Sequence, residues 1–232
     1  MPNNVTTRCK VIGPDEEIQR FKDIFAGTQI MDFNRIIPMP DCLKQVGESS
    51  NSQQAESLVI IASRRGYTLD KTLTNDVFDF IDGIRKGQNL SNYELANRYL
   101  KEHPDVEAIG KQRLKNIVDH GFPTWYGWAL KNWGTKWNAY NFAHISEDPY
   151  EFIFDTAWTF PEPIFVKLAE LYPELTFSCA CFDEGGGFAG KGYFNPKDDN
   201  PTFTYCDATD EMYELVYGCP LEPYDEDDED DE

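Results

Sequence analysis

Residues 125–141 read WYGWALKNWGTKWNAYN and hold four of the chain's five tryptophans, Trp125, Trp128, Trp133 and Trp137. The first part suits the end of a helix. Asn132-Trp133-Gly134-Thr135 reads as a turn, with Gly134 free to take a positive φ. From Lys136 to Phe142 the residues alternate as in a strand, with Trp137 and Ala139 on one face and Asn138 and Tyr140 on the other. An aromatic side chain buries roughly 150–250 Å². Four tryptophans at one helix-to-strand corner therefore build a local core, and the alternative is an aromatic recognition surface.

Upstream, Val5, Thr7, Cys9 and Val11 alternate with Thr6, Arg8 and Lys10 and predict a strand. Gly13-Pro14 ends it. Asp15, Glu16 and Glu17 open a helix with Ile18, Phe21 and Ile24 on one face. Gln29 to Ile37 reads as a second strand, and Asp41 as the cap of a short helix. Residues 47–69 form a polar connection, and Leu58–Ile61 within it suits either a strand or a helix end. Residues 70–133 read as a helical insertion. Ser91 and Glu94 form a capping box, Pro104 starts the next helix, and Gly121 closes it. Downstream, Asn138–Ile145 and Tyr150–Trp158 are antiparallel neighbours. A helix follows Pro161, then a meander over 175–205, and a last helix spans Asp210–Tyr217.

The predicted fold class is α+β, with a mixed, mainly antiparallel sheet and a helical insertion in the middle of the chain. Residues 1–46 and 134–221 supply the strand-rich body, and 222–232 form a disordered acidic tail.

Several segments together resemble the Api92-like or YubB-type family of phages and conjugative plasmids. They are Met1–Val5, Ile12–Pro14, Phe33–Pro40, Asn132–Tyr140 and Phe154–Thr159, and the Asn-Trp-Gly-Thr-Lys-Trp run is the most specific. The resemblance spans most of residues 1–195. It implies a mobile-element protein whose C-terminal region is ferredoxin-like. It implies no activity or catalytic residue.

Charge is the most unusual global property, with 41 acidic against 21 basic residues and a net charge of −20. The tail from Asp225 onward, including Glu226, Asp227 and Asp228, carries eight of these charges, so the remainder stands at −12 (−20 less −8). Such a chain repels phosphate backbones and attracts cationic macromolecules. No run approaches the roughly 18 apolar residues of a membrane helix. The N-terminus lacks a basic, then apolar, leader. These features predict a cytoplasmic protein of the host cell with reduced cysteines, no membrane partner and no direct nucleic-acid binding.

Gly185–Gly192 matches GxxxxGK, but Gly192 stands where Ser or Thr would hold Mg²⁺, and a strand follows, so a glycine-rich hairpin turn explains it better. No Ser-His-Asp, Cys-His or HExxH arrangement is visible. No catalytic residue, metal or cofactor is expected.

The expected function is a non-enzymatic anti-defence factor, anti-CRISPR or anti-restriction, that binds a basic host protein or nucleic-acid-binding complex as a DNA mimic or steric blocker. The expected binding residues are Trp125, Trp128, Trp133, Trp137, Tyr140, Asp155, Asp183, Glu184 and the tail acids. Two alternatives stand beside it. One is an enzyme site among Asp155, Asp183, Glu184 and His144. The other is a nucleic-acid-binding module stacking bases on Tyr140, Phe142, Phe152 and Phe154.

Overall fold

The computed structural model describes residues 3–24, 31–63, 75–195 and 203–221. In chain order the described elements are β1 (Asn4–Ile12), α1 (Asp15–Ile24), a 3-10 turn (Phe33–Arg35), α2 (Asp41–Lys44), α3 (Ser50–Ser63), α4 (Asn75–Arg85), α5 (Asn92–Glu102), α6 (Pro104–His120), α7 (Trp125–Asn132), β2 (Tyr140–Glu147), β3 (Tyr150–Ala157), α8 (Glu162–Leu171), β4 (Thr176–Asp183), β5 (Ala189–Phe194), β6 (Thr204–Cys206) and α9 (Asp210–Tyr217). The chain divides into a sheet unit, Met1–Pro38 with Ala129–Glu232, and a helical unit, Met39–Trp128.

The sheet unit is built on one sheet of order β2-β3-β1-β4-β5-β6. Every described pairing is antiparallel. β3 and β4 both run opposite to β1, so they are parallel to each other, and α8 joins them across it. That is a split β-α-β arrangement of the ferredoxin-like kind. The alternation in β1 decides its faces. Val5, Cys9 and Val11 are buried on one side, with Thr7 between them. The same side of β3 and β4 contributes Phe152, Phe154, Phe177, Cys179 and Cys181. Phe21 of α1 lies 5.3 Å from Phe177, and Phe165 of α8 lies 5.5 Å from Phe194, ring centre to ring centre. On the other side α9 lays Met212 and Val216 over Ala180, Phe182 and Ala189.

The helical unit packs α3, α4 and α5 around Leu58, Ile61, Val77, Ile81, Leu95, Ala96 and Leu100. The capping box at α5 is present, and Gly121 ends α6 in the left-handed region at φ 79°. No described helix is long and apolar enough to cross a membrane.

Four expectations need correction. The second strand over 29–37 is absent from the described part of that span, which holds a 3-10 turn. There Asp32 Oδ1 accepts from Asn34 N (3.0 Å) and from the distant Asn138 Nδ2 (2.7 Å), which fixes a turn against the local alternation. The polar connection over 47–69 contains α3, started by reciprocal Ser49–Ser52 bonds and buried through Leu58 and Ile61. Asp41 is the first helical residue rather than a cap; its carboxylate accepts from Lys44 Nζ at 2.9 Å. The strand read from Lys136 begins only at Tyr140. Asn141, at φ 51°, lies in the register break between Tyr140 and Ala143.

Burial in the sheet core pushes the Cys179 thiol up, and it pushes Cys181 up to about 12. An unfolded thiol releases its proton near pH ~8.5. Above that pH the unfolded chain binds fewer protons than the native one, so stability falls as pH rises, until the folded values are reached. Each thiol contributes a slope of about 1.4 kcal/mol per pH unit. Denaturant unfolding between pH 8 and pH 11 should show a falling midpoint. A Cys179→Ala, Cys181→Ala variant should flatten it, and an equally steep fall in that variant would contradict the assignment.

Candidate functional site

β1 starts, β3 ends and β4 ends at the same edge of the sheet, because Asn4 pairs with Ala157 and Val5 with Asp183. β2 starts there too, with Tyr140 opposite Asp155. This antiparallel register brings Tyr140, Asp155 and Glu184 to one end of the sheet, whereas Asp183, opposite Val5, lies on the core side and Asp155, opposite Thr6, on the other.

Each carboxylate there is held by defined donors. Glu184 Oε1 accepts from Asn4 N at 2.6 Å and Oε2 from Asn4 Nδ2 at 2.9 Å. The Tyr140 hydroxyl donates to Asn4 Oδ1 at 2.6 Å. Asp155 Oδ1 accepts from Thr6 Oγ1 (2.7 Å) and Oδ2 from Asn141 Nδ2 (2.8 Å), while Tyr217 OH donates to Thr6 Oγ1 (3.0 Å). Asp183 is buried and accepts from Gly187 N at 3.0 Å, which closes the β4–β5 hairpin turn. Burial raises the Tyr140 hydroxyl above its ordinary value, and the charges of Asp155 and Glu184 raise it further. Tyr140 is therefore a neutral donor at physiological pH, and it orients Asn4 for Glu184.

The Asn-Trp-Gly-Thr-Lys-Trp segment is fastened to the end of β3. Gly134 takes φ 79°, as the turn reading expects. Thr135 Oγ1 donates to Ala157 O at 2.8 Å, and Thr159 Oγ1 donates to Gly134 O at 2.5 Å. These bonds set Lys136 between two indoles, with Nζ 4.6 Å from the ring centre of Trp137 and 4.6 Å from that of Trp158. Trp137 and Trp158 are 40% and 41% exposed. Trp158 N donates to Asn3 O at 3.0 Å, so its backbone is tied to the residue that precedes the Glu184 anchor. Trp158 also has φ 71°. A bulky residue rarely adopts that region, and strain of this kind costs about 1–3 kcal/mol and clusters at ligand clamps.

The other expected residues are distributed differently. Trp133 is buried, with Nε1 donating to Ile37 O at 2.9 Å and its ring 5.9 Å from Phe33. Trp128 is buried, and Trp125 stacks edge-on against Tyr126 at 5.7 Å. Trp125 and Trp128 belong to the helical unit, whereas Trp133 and Trp137 belong to the sheet unit. Of the four, Trp128 and Trp133 are buried and Trp137 is exposed. Asp225, Glu226, Asp227 and Asp228 lie outside the described residues. His144 sits near Glu147 (3.4 Å) at the far end of β2 from Tyr140. Phe152 and Phe154 are buried in the helix-covered core, with Phe152 6.1 Å from Phe21, so they offer no face for base stacking.

Sequence reading misses Lys136, Trp158, Asn4, Thr6 and Tyr217, whose roles depend on register. It also misses a thiol–imidazole contact. Cys42 Sγ lies 3.2 Å from His120 Nε2 although the two are 78 positions apart. Asn116 Nδ2 supports that corner by donating to Cys42 O (3.3 Å) and Pro123 O (3.0 Å).

Residues 132–229 match a family model described as the ferredoxin-like domain in Api92-like protein. The match covers β2 through α9 and agrees with the split β-α-β arrangement of the sheet. The crystal structure of protein api92 from Yersinia pseudotuberculosis aligns over 89% of this chain and 98% of that chain, with 10% identity and a TM-score of 0.42. No curated protein matches.

Proposed function

We propose that this chain, whose residues 132–229 match the ferredoxin-like domain of Api92-like proteins, is a non-enzymatic binding protein that docks on a basic surface of another protein. The observation that carries this reading is the Trp137–Lys136–Trp158 clamp, two half-exposed indoles of which Trp158 is bonded through its backbone to Asn3, the neighbour of the residue that holds Glu184. Exposed tryptophans are the residues most often found as interface anchors. Indole rings attract ammonium and guanidinium groups, as the Lys136 contacts illustrate, so a partner's arginine or lysine would have to displace Lys136 or use the ring surface it leaves exposed. The net charge of −20 adds long-range attraction to such a partner. In a mobile-element setting the partner would be a nucleic-acid-binding host protein, and the activity would be anti-defence, by occupying the surface where DNA would lie.

The test is capture of partners from host lysate at low and high salt. The wild-type chain should recover a basic protein at low salt and lose it as salt screens the attraction. Purified with that partner, a Trp137→Ala, Trp158→Ala variant should bind about 30-fold more weakly, the effect of losing an anchor worth about 2 kcal/mol. Unchanged affinity in the folded variant would refute the clamp as the docking surface. Recovery of no basic partner at any salt would refute the wider reading.

A further inference from the structure

We infer that the sheet face opposite the phenylalanine core binds a small phosphorylated ligand with a flat ring, of the nucleoside mono- or diphosphate class. This goes beyond protein docking and uses different residues. Arg8 and Lys10 on β1, Ser178 on β4, and Lys191 and Tyr193 on β5 share that face by register: Lys10 pairs with Ser178, Ser178 with Tyr193, and Ala180 with both Arg8 and Lys191. α9 covers one end of the face through Met212 and Val216. The remainder is a cavity of about 810 Å³, within the size range of small-molecule sites.

Its charge is the local exception in an acidic chain. Arg8, Lys10 and Lys191 line it, accompanied by Glu151 and Glu214. Arg8 is oriented by Glu151, with Nε 3.0 Å and Nη2 2.7 Å from the same Oε2. Among the described residues, neither Lys10 nor Lys191 forms an ion pair with a carboxylate. Arg8 and Lys191 stand two strands apart, about 10 Å, a gap that one or two phosphates can bridge. Guanidinium and ammonium groups are the usual phosphate donors. Tyr193 is 53% exposed and Leu215 of α9 is 46% exposed, so the cavity also offers a ring face and an apolar edge. Glu151 and Glu214 can accept from sugar hydroxyls.

The size of the ligand follows from screening. Fields fade over about 8 Å at physiological salt. A small anion inside the cavity therefore meets three cations against the carboxylates of Glu151 and Glu214, with Lys10 and Lys191 its nearest unpaired charges among the described residues, whereas a long polyanion would also run across the acidic exterior.

Calorimetric titration of the full chain with ADP, AMP, inorganic phosphate and an eight-nucleotide thymidine oligomer tests this. ADP should bind at one site. A Lys10→Gln, Lys191→Gln variant, shown by circular dichroism to be folded, should bind ADP at least tenfold more weakly. Tyr193→Ala should weaken ADP and leave phosphate unchanged, and Trp137→Ala, Trp158→Ala should leave ADP binding intact. The inference is overturned if ADP and AMP fail to bind at millimolar concentration, or if the double lysine variant binds normally. It is equally overturned if phosphate alone matches ADP, or if the oligomer binds more tightly than ADP.

Discussion

Replacing Gly110 with alanine is expected to destabilise the helical unit by about 2 kcal/mol, the middle of the range for overpacking a tight contact. On a solvent-facing helix the same change helps by roughly 0.5–1 kcal/mol, because alanine loses less backbone entropy on folding. Gly110 lies within α6 where that helix meets α3. A Cβ there would be 2.7 Å from the Ala55 carbonyl carbon and 2.7 Å from Val59 Cγ2, and it would also strike the Ala55 carbonyl oxygen. The obstacle is mainly backbone, so a rotamer change cannot relieve it, and the two helices must move apart. Gly83 in α4 is the internal control, since a Cβ there meets nothing within 4 Å. Gly83→Ala should raise the denaturant midpoint and Gly110→Ala should lower it. Equal shifts of the same sign would show that the α3–α6 contact is not as close as described.

The largest single loss is expected from Glu56→Ala. Arg113 is 3% exposed, and its Nε lies 2.7 Å from Glu56 Oε2, with Nη1 3.1 Å from Ser52 Oγ and 3.9 Å from Glu48 Oε2. Removing the near carboxylate leaves a guanidinium buried with a hydroxyl and a distant charge. Breaking a buried pair in this way costs about 3–5 kcal/mol. Glu56 keeps some contact with water, which favours the lower end of that range. The double variant Glu56→Leu, Arg113→Met removes both charges and should be clearly more stable than Glu56→Ala. The desolvation cost disappears together with the attraction. A double variant no more stable than the single one would assign the loss to packing rather than to a stranded charge.

Local patterns were readable where a short stretch carries its own physics. β1 and α1 follow from alternation and from a 3.6-residue repeat. The Ser91–Glu94 capping box and the left-handed Gly121 and Gly134 follow from the residue types those positions require. α3 was obscured because serine, glutamine and asparagine give weak helical signals, and its helical state depends on burying Leu58 and Ile61 against α4 and α5. The 3-10 turn at Phe33 was hidden by a partner more than a hundred residues away, Asn138.

The candidate site divides along the same line. Tyr140, Asp155, Asp183 and Glu184 could be named from sequence as aromatic and acidic groups near strand ends. The meeting of Tyr140 and Glu184 on Asn4, and of Asp155 with Thr6, depends on pairing between strands far apart in the chain, and no window of a few residues encodes that register. Trp158 shows the limit most clearly: its identity is evident, but its left-handed backbone and half-exposed indole result from a bond to Asn3 and from the docked 134–137 turn. The sequence by itself determined the α+β class, most of the helices and strands, and the acidic charge. The tertiary structure alone decided which tryptophans face water, which carboxylates share an edge, and where three cations collect in an acidic chain. Steric and hydrogen-bonding preferences act over a few residues, whereas a site is made by contacts that only the closed fold brings within reach.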